Sequence, residues 1–382
     1  MILNNLRLAL TGDLVNISVK EGKITQVLPV QLHDEAEQID LKFDNAIIFP
    51  GLINSHDHLD FNLFPALGGK TYSNYTEWGR HIHKHHKEEI NKVLKVPDKL
   101  RAEWGIYKNL LCGVTTVVNH GKKMKISTEV ISVFEDYQCI HSVQFEKKWK
   151  LALNNPFKKN LPVVIHTGEG TDLSSVTEID QLIAWNLLKK GLVGVHGVAM
   201  NETQVRAFNA LVWCPESNYF LLGQTAPVKL LKNHIPILFG TDSTLTGNWN
   251  IWDHIRLARK TKFLTDAELY NSLTANASNT WKLNGGCVDT GKDADLVIVK
   301  RKDDRSCSDA FFAIGPEDIL MVIHNGNISL FDEELYAQLG TAGLENYSKV
   351  CVNGASKYVK GNLPALMKKI KQYYPEASFP VA

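Results

Sequence analysis

No stretch of this sequence approaches the roughly 18 uninterrupted apolar residues that a membrane span needs. The segment from Met1 to Leu10 carries Asn4, Asn5 and Arg7 inside its apolar pattern, so it does not read as an export signal either. A surplus of one charge is also missing: 42 Lys and Arg stand against 41 Asp and Glu, a formal charge of +1. That balance removes the broad electrostatic attraction expected of a nucleic-acid binder or of a protein held at an anionic membrane. Cys112, Cys139, Cys214, Cys287, Cys307 and Cys351 are scattered and form no C-x-x-C pair, which argues against a disulfide framework and against a zinc knuckle. Reduced thiols in a cytoplasm are the simple reading. The expected partner is a small neutral molecule, and a homo-oligomer is left open.

What is present is an ordinary globular composition, 44% hydrophobic and 22% charged over 382 residues. This length suits one large α/β unit and a smaller one. From Leu6 to Val30, short apolar runs broken by Thr11-Gly12-Asp13 and Glu21-Gly22-Lys23 predict an antiparallel meander, and the texture returns at Ala294 to Val299 and Leu320 to Ile323. Strands from both ends can therefore share a domain. Between them, apolar runs alternate with helical patterns, the signature of a parallel sheet. Strands are predicted at Ala46 to Ser55, Gly113 to Asn119, Cys139 to Phe145, Leu161 to His166, Leu192 to His196, Ala210 to Cys214 and Ile235 to Gly240, with an irregular eighth near Leu151 to Leu153. Helices are predicted at Trp78 to Val93, Asp98 to Leu111, Ile179 to Lys190, Asn201 to Phe208, Ile251 to Ala258 and Asp266 to Leu273. A hairpin about Asn353-Gly354 and a basic helix from Leu363 to Tyr373 are predicted near the end.

His56-Asp57-His58 closes the first of these middle runs. Residues i and i+2 of a strand face one side, so both imidazoles can enter one cavity while Asp57 points away. His166, His196 and Asp242 each close another apolar run. Polar residues that recur at the carboxyl ends of parallel strands belong where such folds place their active sites. Imidazoles and a carboxylate suit zinc or ferrous iron with a position left for water, whose pKa the ion lowers toward neutrality. Glu169, just beyond His166 in a Gly-flanked turn, can fold back to take and return a proton.

These residues resemble the amidohydrolase superfamily, in its cytosine deaminase and chlorohydrolase-like branch. The resemblance spans nearly the whole chain and is carried by Phe49 to His58, Gly113 to Val118, His166 to Glu169, Cys214 to Asn218, Gly240 to Ser243 and Gly291 to Val299. It implies an α/β fold: a (β/α)8 TIM-type barrel over 50–285, with a small composite β-sandwich from both chain ends, 1–49 and 286–382, the latter including a helical tail. It also implies one divalent metal, zinc foremost and iron second, held by His56, His58, His166 and Asp242. Glu169, His196 and Asp242 form the implied catalytic set, Glu169 as proton shuttle and His196 orienting the attacking oxygen or the developing charge. The implied activity is hydrolysis of a non-peptide carbon–nitrogen bond, most readily deamination of an amino-substituted heterocycle by hydroxide generated at the metal. Ser243 stands where cytosine deaminase carries a second acidic residue, so cytosine itself is not a safe substrate.

Four further residues are candidates for substrate contact. Gln144 is either a base-reading glutamine or an ordinary strand-end polar group, and Trp78 can stack on a flat ring or pack in the core. His81 is the member of the run from His81 to His86 best placed to reach the pocket, and His120 closes the second strand. His141 falls inside a predicted strand and reads as core. Two other readings stand beside deamination. One is a two-metal amide or cyclic-amide hydrolase, for which Lys148 or Lys150 would have to supply a bridging group. The other is a non-catalytic barrel scaffold, which has no physical need for the metal set.

Overall fold

The structure, a computed structural model, describes residues 1–29, 39–123, 129–302, 305–340 and 343–382; Val30, the end of the predicted meander, lies outside them. Four strands open the chain: β1 (Ile2–Leu8), β2 (Leu14–Lys20), β3 (Lys23–Pro29) and β4 (Asp40–Pro50). Eight occupy the middle: β5 (Leu52–Asp57), β6 (Val114–Asn119), β7 (Ser132–Phe134), β8 (Gln138–Ser142), β9 (Val163–Thr167), β10 (Leu192–His196), β11 (Ala210–Trp213) and β12 (Ile237–Phe239). Five follow: β13 (Leu296–Lys300), β14 (Ile319–His324), β15 (Asn327–Asp332), β16 (Tyr347–Val352) and β17 (Ala355–Lys360).

Both ends of the chain enter one nine-stranded sheet, ordered β16-β17-β15-β14-β13-β4-β1-β2-β3. The junction is β13 antiparallel to β4, with Ile298 opposite Ile48. The two-residue period divides these strands between two cores. Leu296, Ile298 and Ile48 join Leu3, Ile17 and Met321, whereas Val297, Val299, Ile47 and Phe49 join a larger core shared with the helices of the middle segment. The apolar run from Ala46 to Ser55 is not one strand. It breaks at Gly51, where a Cβ would collide with the Thr115 side chain, and the chain leaves the large sheet for the first parallel strand.

The middle strands form two parallel arcs, β5-β6-β7 and β8-β9-β10-β11-β12. One seam between them is bridged by Thr241 N and Asp242 N, which donate to His56 O at 3.1 and 3.0 Å; at the other the Tyr137 hydroxyl donates to Asn119 O. Strands covered on both faces must be apolar throughout. Val164, Val193, Val195, Val212 and Leu238 accordingly form an inner cluster, while Ile165, Leu211, Trp213 and Phe239 pack with the helices. Those helices include α1 (Tyr75–His85), α2 (Lys87–Leu94), α3 (Asp98–Leu110), α4 (Trp149–Leu153), α5 (Leu173–Trp185) and α6 (Pro215–Leu222).

Several predicted elements need correction. The third parallel strand is the three-residue β7, too short to show a period, so the strand expected third is in fact fourth, and it ends at Ser142 rather than Phe145. Leu151 to Leu153 is helical, part of α4. The helix expected from Trp78 to Val93 breaks at His86, and the one expected from Asn201 to Phe208 is a single 3-10 turn, Gln204–Ala207. The hairpin at Asn353-Gly354 and the helix Leu363–Tyr373 form as expected. Among the described residues no helix is long and apolar enough to cross a membrane.

Candidate metal centre

A bulge in β5 decides where its histidines point. Asn54 and Asp57 both face α3: Asn54 Nδ2 donates to Asn109 Oδ1 at 3.0 Å, and Asp57 Oδ2 accepts from Asn109 Nδ2 at 2.7 Å and Lys108 Nζ at 3.0 Å. Two residues three apart on one side break the two-residue period, and the register against β6 shifts between them. His56 and His58 are thereby left on the inner side. Asp57 and Lys108 are buried, and Asn62 Nδ2 adds a hydrogen bond of 2.7 Å to Asp57, so the strand end is fixed by a paired charge.

The other donors arrive from neighbouring strand ends. His166 follows Val164 on the inner face of β9, and its Nε2 lies 3.2 Å from His56 Nε2. Asp242 Oδ1 is 3.7 Å from His58 Nε2 and 3.8 Å from His56 Nε2, while its Oδ2 accepts from Ser217 Oγ at 2.8 Å and Thr246 Oγ1 at 3.0 Å. By parity His196 would point outward beside Gly194, but a φ of 71° turns it into the cluster; Asp242 is likewise left-handed, at 57°. Gly240 is required by close approach, since a Cβ there would meet His56 Cβ at 2.7 Å.

Hydrogen bonding sets the state of His196. Its Nδ1 lies 2.8 Å from Asn218 Oδ1, and Asn218 Nδ2 donates to Thr225 Oγ1 at 3.2 Å. With the amide oriented this way, Nδ1 carries the hydrogen and Nε2 presents a lone pair to the cluster. Glu169 Oε2 is 3.6 Å from that nitrogen. Burial raises the Glu169 carboxyl well above its ordinary range, with Asp242 and Glu178 adding to the effect, and burial lowers His196, so both shifts oppose charge on the two partners. Burial also lowers His56, His120 and His166. Burial pushes Asp242 up as well, but His58, His196 and the hydrogen bonds from Ser217 and Ser243 outweigh it and hold the carboxylate low.

The Glu169 turn is pinned from two sides. Gly168 is left-handed at 60° and its N–H donates to Glu178 Oε1 at 2.8 Å; Tyr75 N, at the start of α1, donates to Glu169 O at 3.1 Å. Three overlapping groups then have ligand atoms within 4.8 Å of one another: His56, His120 and His166; His56, His196 and Asp242; His166, Glu169 and His196. His58 is outside these groups and joins through Asp242. Buried His56 Nδ1, His196 Nε2 and both nitrogens of His120 have no hydrogen-bond partner, a cost that a cation among them would relieve for those atoms aimed at it. The 3.2 Å between His56 and His166 nitrogens is close to the about 3.3 Å between two nitrogens bound about 2.05 Å from one tetrahedral ion. The donor set fits a borderline divalent cation.

The substrate candidates fare unevenly. His120 stacks on His166 with ring centroids 4.3 Å apart. Trp78 is half-buried on α1 with Nε1 donating to Leu67 O at 2.7 Å. His81 packs against His85, 4.5 Å away, and Tyr72 instead of the cluster, and Gln144 is exposed on the turn beyond β8. His141, expected in the core, is exposed with its ring 5.0 Å from that of His166; the misplaced strand end hid it. Lys148 and Lys150 are exposed, Lys150 over the Trp185 ring, so neither serves the two-metal reading. Lys108, Asn109 and Glu178 were missed because each lies on a helix whose apolar pattern gave no hint of a polar partner. Asn218 lies in the segment Cys214 to Asn218, whose sequence alone assigns it no partner.

Residues 149–329 match the Amidohydrolase family. Imidazolonepropionase of Thermoplasma volcanium is 22% identical over 83% of this chain and 90% of its own length, and 5'-deoxyadenosine deaminase of Methanococcus maripaludis is 23% identical over 75% and 81%. An adenosine deaminase from Xanthomonas campestris, solved with bound zinc, superposes with a TM-score of 0.70 at 17% identity, covering 95% of this chain and 93% of that one. Parallel strands thus bring imidazoles and carboxylates to one buried point, on a chain whose relatives and structural neighbours are hydrolases that include metal-bound members. Over 149–329 the chain is similar to the Amidohydrolase family, and the relatives it matches over most of their length are deaminases and an imidazolonepropionase.

Proposed function

We infer that this protein hydrolyses a non-peptide carbon–nitrogen bond, removing the exocyclic amine of an amino-substituted heterocycle as ammonia. The observation that carries the reading is the convergence of His56, His58, His166, His196, Asp242 and Glu169, from four strand ends, on one buried point. The names of the deaminase relatives support it. The two parallel arcs are read as a (β/α)8 barrel over 50–285, and the segments 1–49 and 286–382 as one composite β domain.

His56, His58, His166 and Asp242 would hold one divalent ion, zinc by analogy with the zinc-bound neighbour. When bound, the ion supplies Lewis acidity and water acidic enough to attack near neutrality. Glu169 is built to hold a proton on Oε2 and deliver it to the departing nitrogen, because burial keeps its carboxyl basic. His196 Nε2 offers a lone pair beside that oxygen and steadies the attacking group. Burial of the whole set excludes bulk water and strengthens each of these interactions.

The test is ammonia release from a panel of aminopurines, aminopyrimidines and aminotriazines by metal-replete protein. Glu169→Gln should lower the rate on any active compound by about 100-fold or more while keeping the fold. An unchanged rate would overturn the proton role, and no release from any class would overturn deamination.

A further inference from the structure

Beside the histidine cluster lies a second feature, a cavity of about 540 Å³. Its walls come from three loops and two helices: Phe61 and Phe64 after β5, Trp78 and Ile82 on α1, Ile90 and Leu94 on α2, Phe145 after β8, and Leu245 after β12. These are aromatic and aliphatic groups. The polar tip of Trp78 is turned away and satisfied by Leu67 O, and the charged or titratable lining residues Arg80, His83 and His141 are exposed.

Two rings join this cavity to the cluster. Phe61 stacks on His58 with centroids 5.4 Å apart and planes 14° from parallel, and His141, which lines the cavity, lies 5.0 Å from His166. Phe145 walls the recess next to His141, their ring centroids 5.5 Å apart. It stands edge-on to Tyr75 at 5.1 Å and lies over Gly79, where a Cβ would meet its ring at 3.3 Å. Gly79 therefore keeps room for the ring, which a methyl group there would force to shift. An apolar recess of this size that opens beside a polar reacting point binds by excluding water from apolar surface, and it penalises a charged group that must shed its hydration.

We propose that this cavity takes an uncharged apolar substituent carried by the substrate, so that the substrate class is amino-heterocycles bearing an alkyl, thioether or aryl group, and not free bases or phosphate- or carboxylate-bearing derivatives. The proposal rests on the reading of the histidine cluster as the reacting centre. Phe145 and Leu245 are the specificity-determining residues, because both line the recess and Phe145 stands against His141, ring centroids 5.5 Å apart, which in turn lies beside His166.

The test is calorimetric binding of matched sets: adenine, its N-benzyl derivative and its N-carboxymethyl derivative, each substituted on a ring nitrogen, with the same three forms of cytosine. The protein is wild type, Phe145→Asp or Leu245→Asp. Phe145 is 49% exposed, so its replacement spares the core. In at least one set the benzyl form should bind at least about tenfold more tightly than both companions. In both variants that preference should fall below about threefold, with metal content unchanged. Equal binding of the three forms, tighter binding of the carboxymethyl form, or a preference that survives in both variants would overturn the proposal. Ammonia release in the same samples separates the two claims: a benzyl preference with no release overturns deamination alone, and release from the parent bases with no benzyl preference overturns this proposal alone.

Discussion

The turn carrying Glu169 is held by Glu178, a buried carboxyl outside the cluster. Burial raises it to about 7, against the hydrogen bonds it accepts from Gly168 N and the Tyr75 hydroxyl. Its folded value lies above its unfolded one, so the folded state holds the proton more tightly, and stability falls as pH climbs from about 4.5 through about 7. Glu178→Gln keeps the acceptor for Gly168 and removes the titration. In urea unfolding the variant should gain roughly 2–3 kcal/mol relative to wild type between pH 5 and 8; a difference that does not change with pH would contradict the assignment. Asn218 acts on His196 in a comparable way by fixing which nitrogen carries hydrogen. Asn218→Ala should cost about 10–100-fold in turnover with the fold intact by circular dichroism. Wild-type turnover in that variant would show that the tautomer is set elsewhere.

At the scale of the element, β5 depends on its bulge, and the bulge depends on Asn54 and Asp57 meeting α3. Lys108→Met leaves Asp57 charged in the interior without its ammonium, and equilibrium unfolding should register a loss of about 3–5 kcal/mol. A change below about 1 kcal/mol would mean that Asn109 and Asn62 alone satisfy the carboxylate. The same element shows what the sequence could reveal. The i, i+2 spacing correctly placed His56 and His58 on one side with Asp57 opposite, because local geometry suffices for that. It was silent on the bulge, which arises from a helix some fifty residues later. His166 was legible because β9 is regular. The same rule applied to His196 gives the wrong side, and only its left-handed φ corrects it. β7 was missed because three residues show no period, and that miss shifted the strand count and concealed His141.

At the scale of the molecule, strand order does the assembling. Side chains from His56 to Asp242 meet because parallel strands deliver successive carboxyl ends to one rim, and two arcs bonded through His56 O place the first strand beside the last. The nine-stranded sheet ties both chain ends to the core beneath this rim through Phe49 and Val297. The claim on which the rest depends is that the assembled rim holds one divalent ion. Elemental analysis of extensively dialysed protein, wild type against the double variant His56→Ala/His166→Ala, tests it most directly. The expected result is about one zinc or iron per wild-type chain and less than about a tenth of that in the variant. Equal metal content in the two proteins, or none in wild type after incubation with zinc and with ferrous iron, would contradict it.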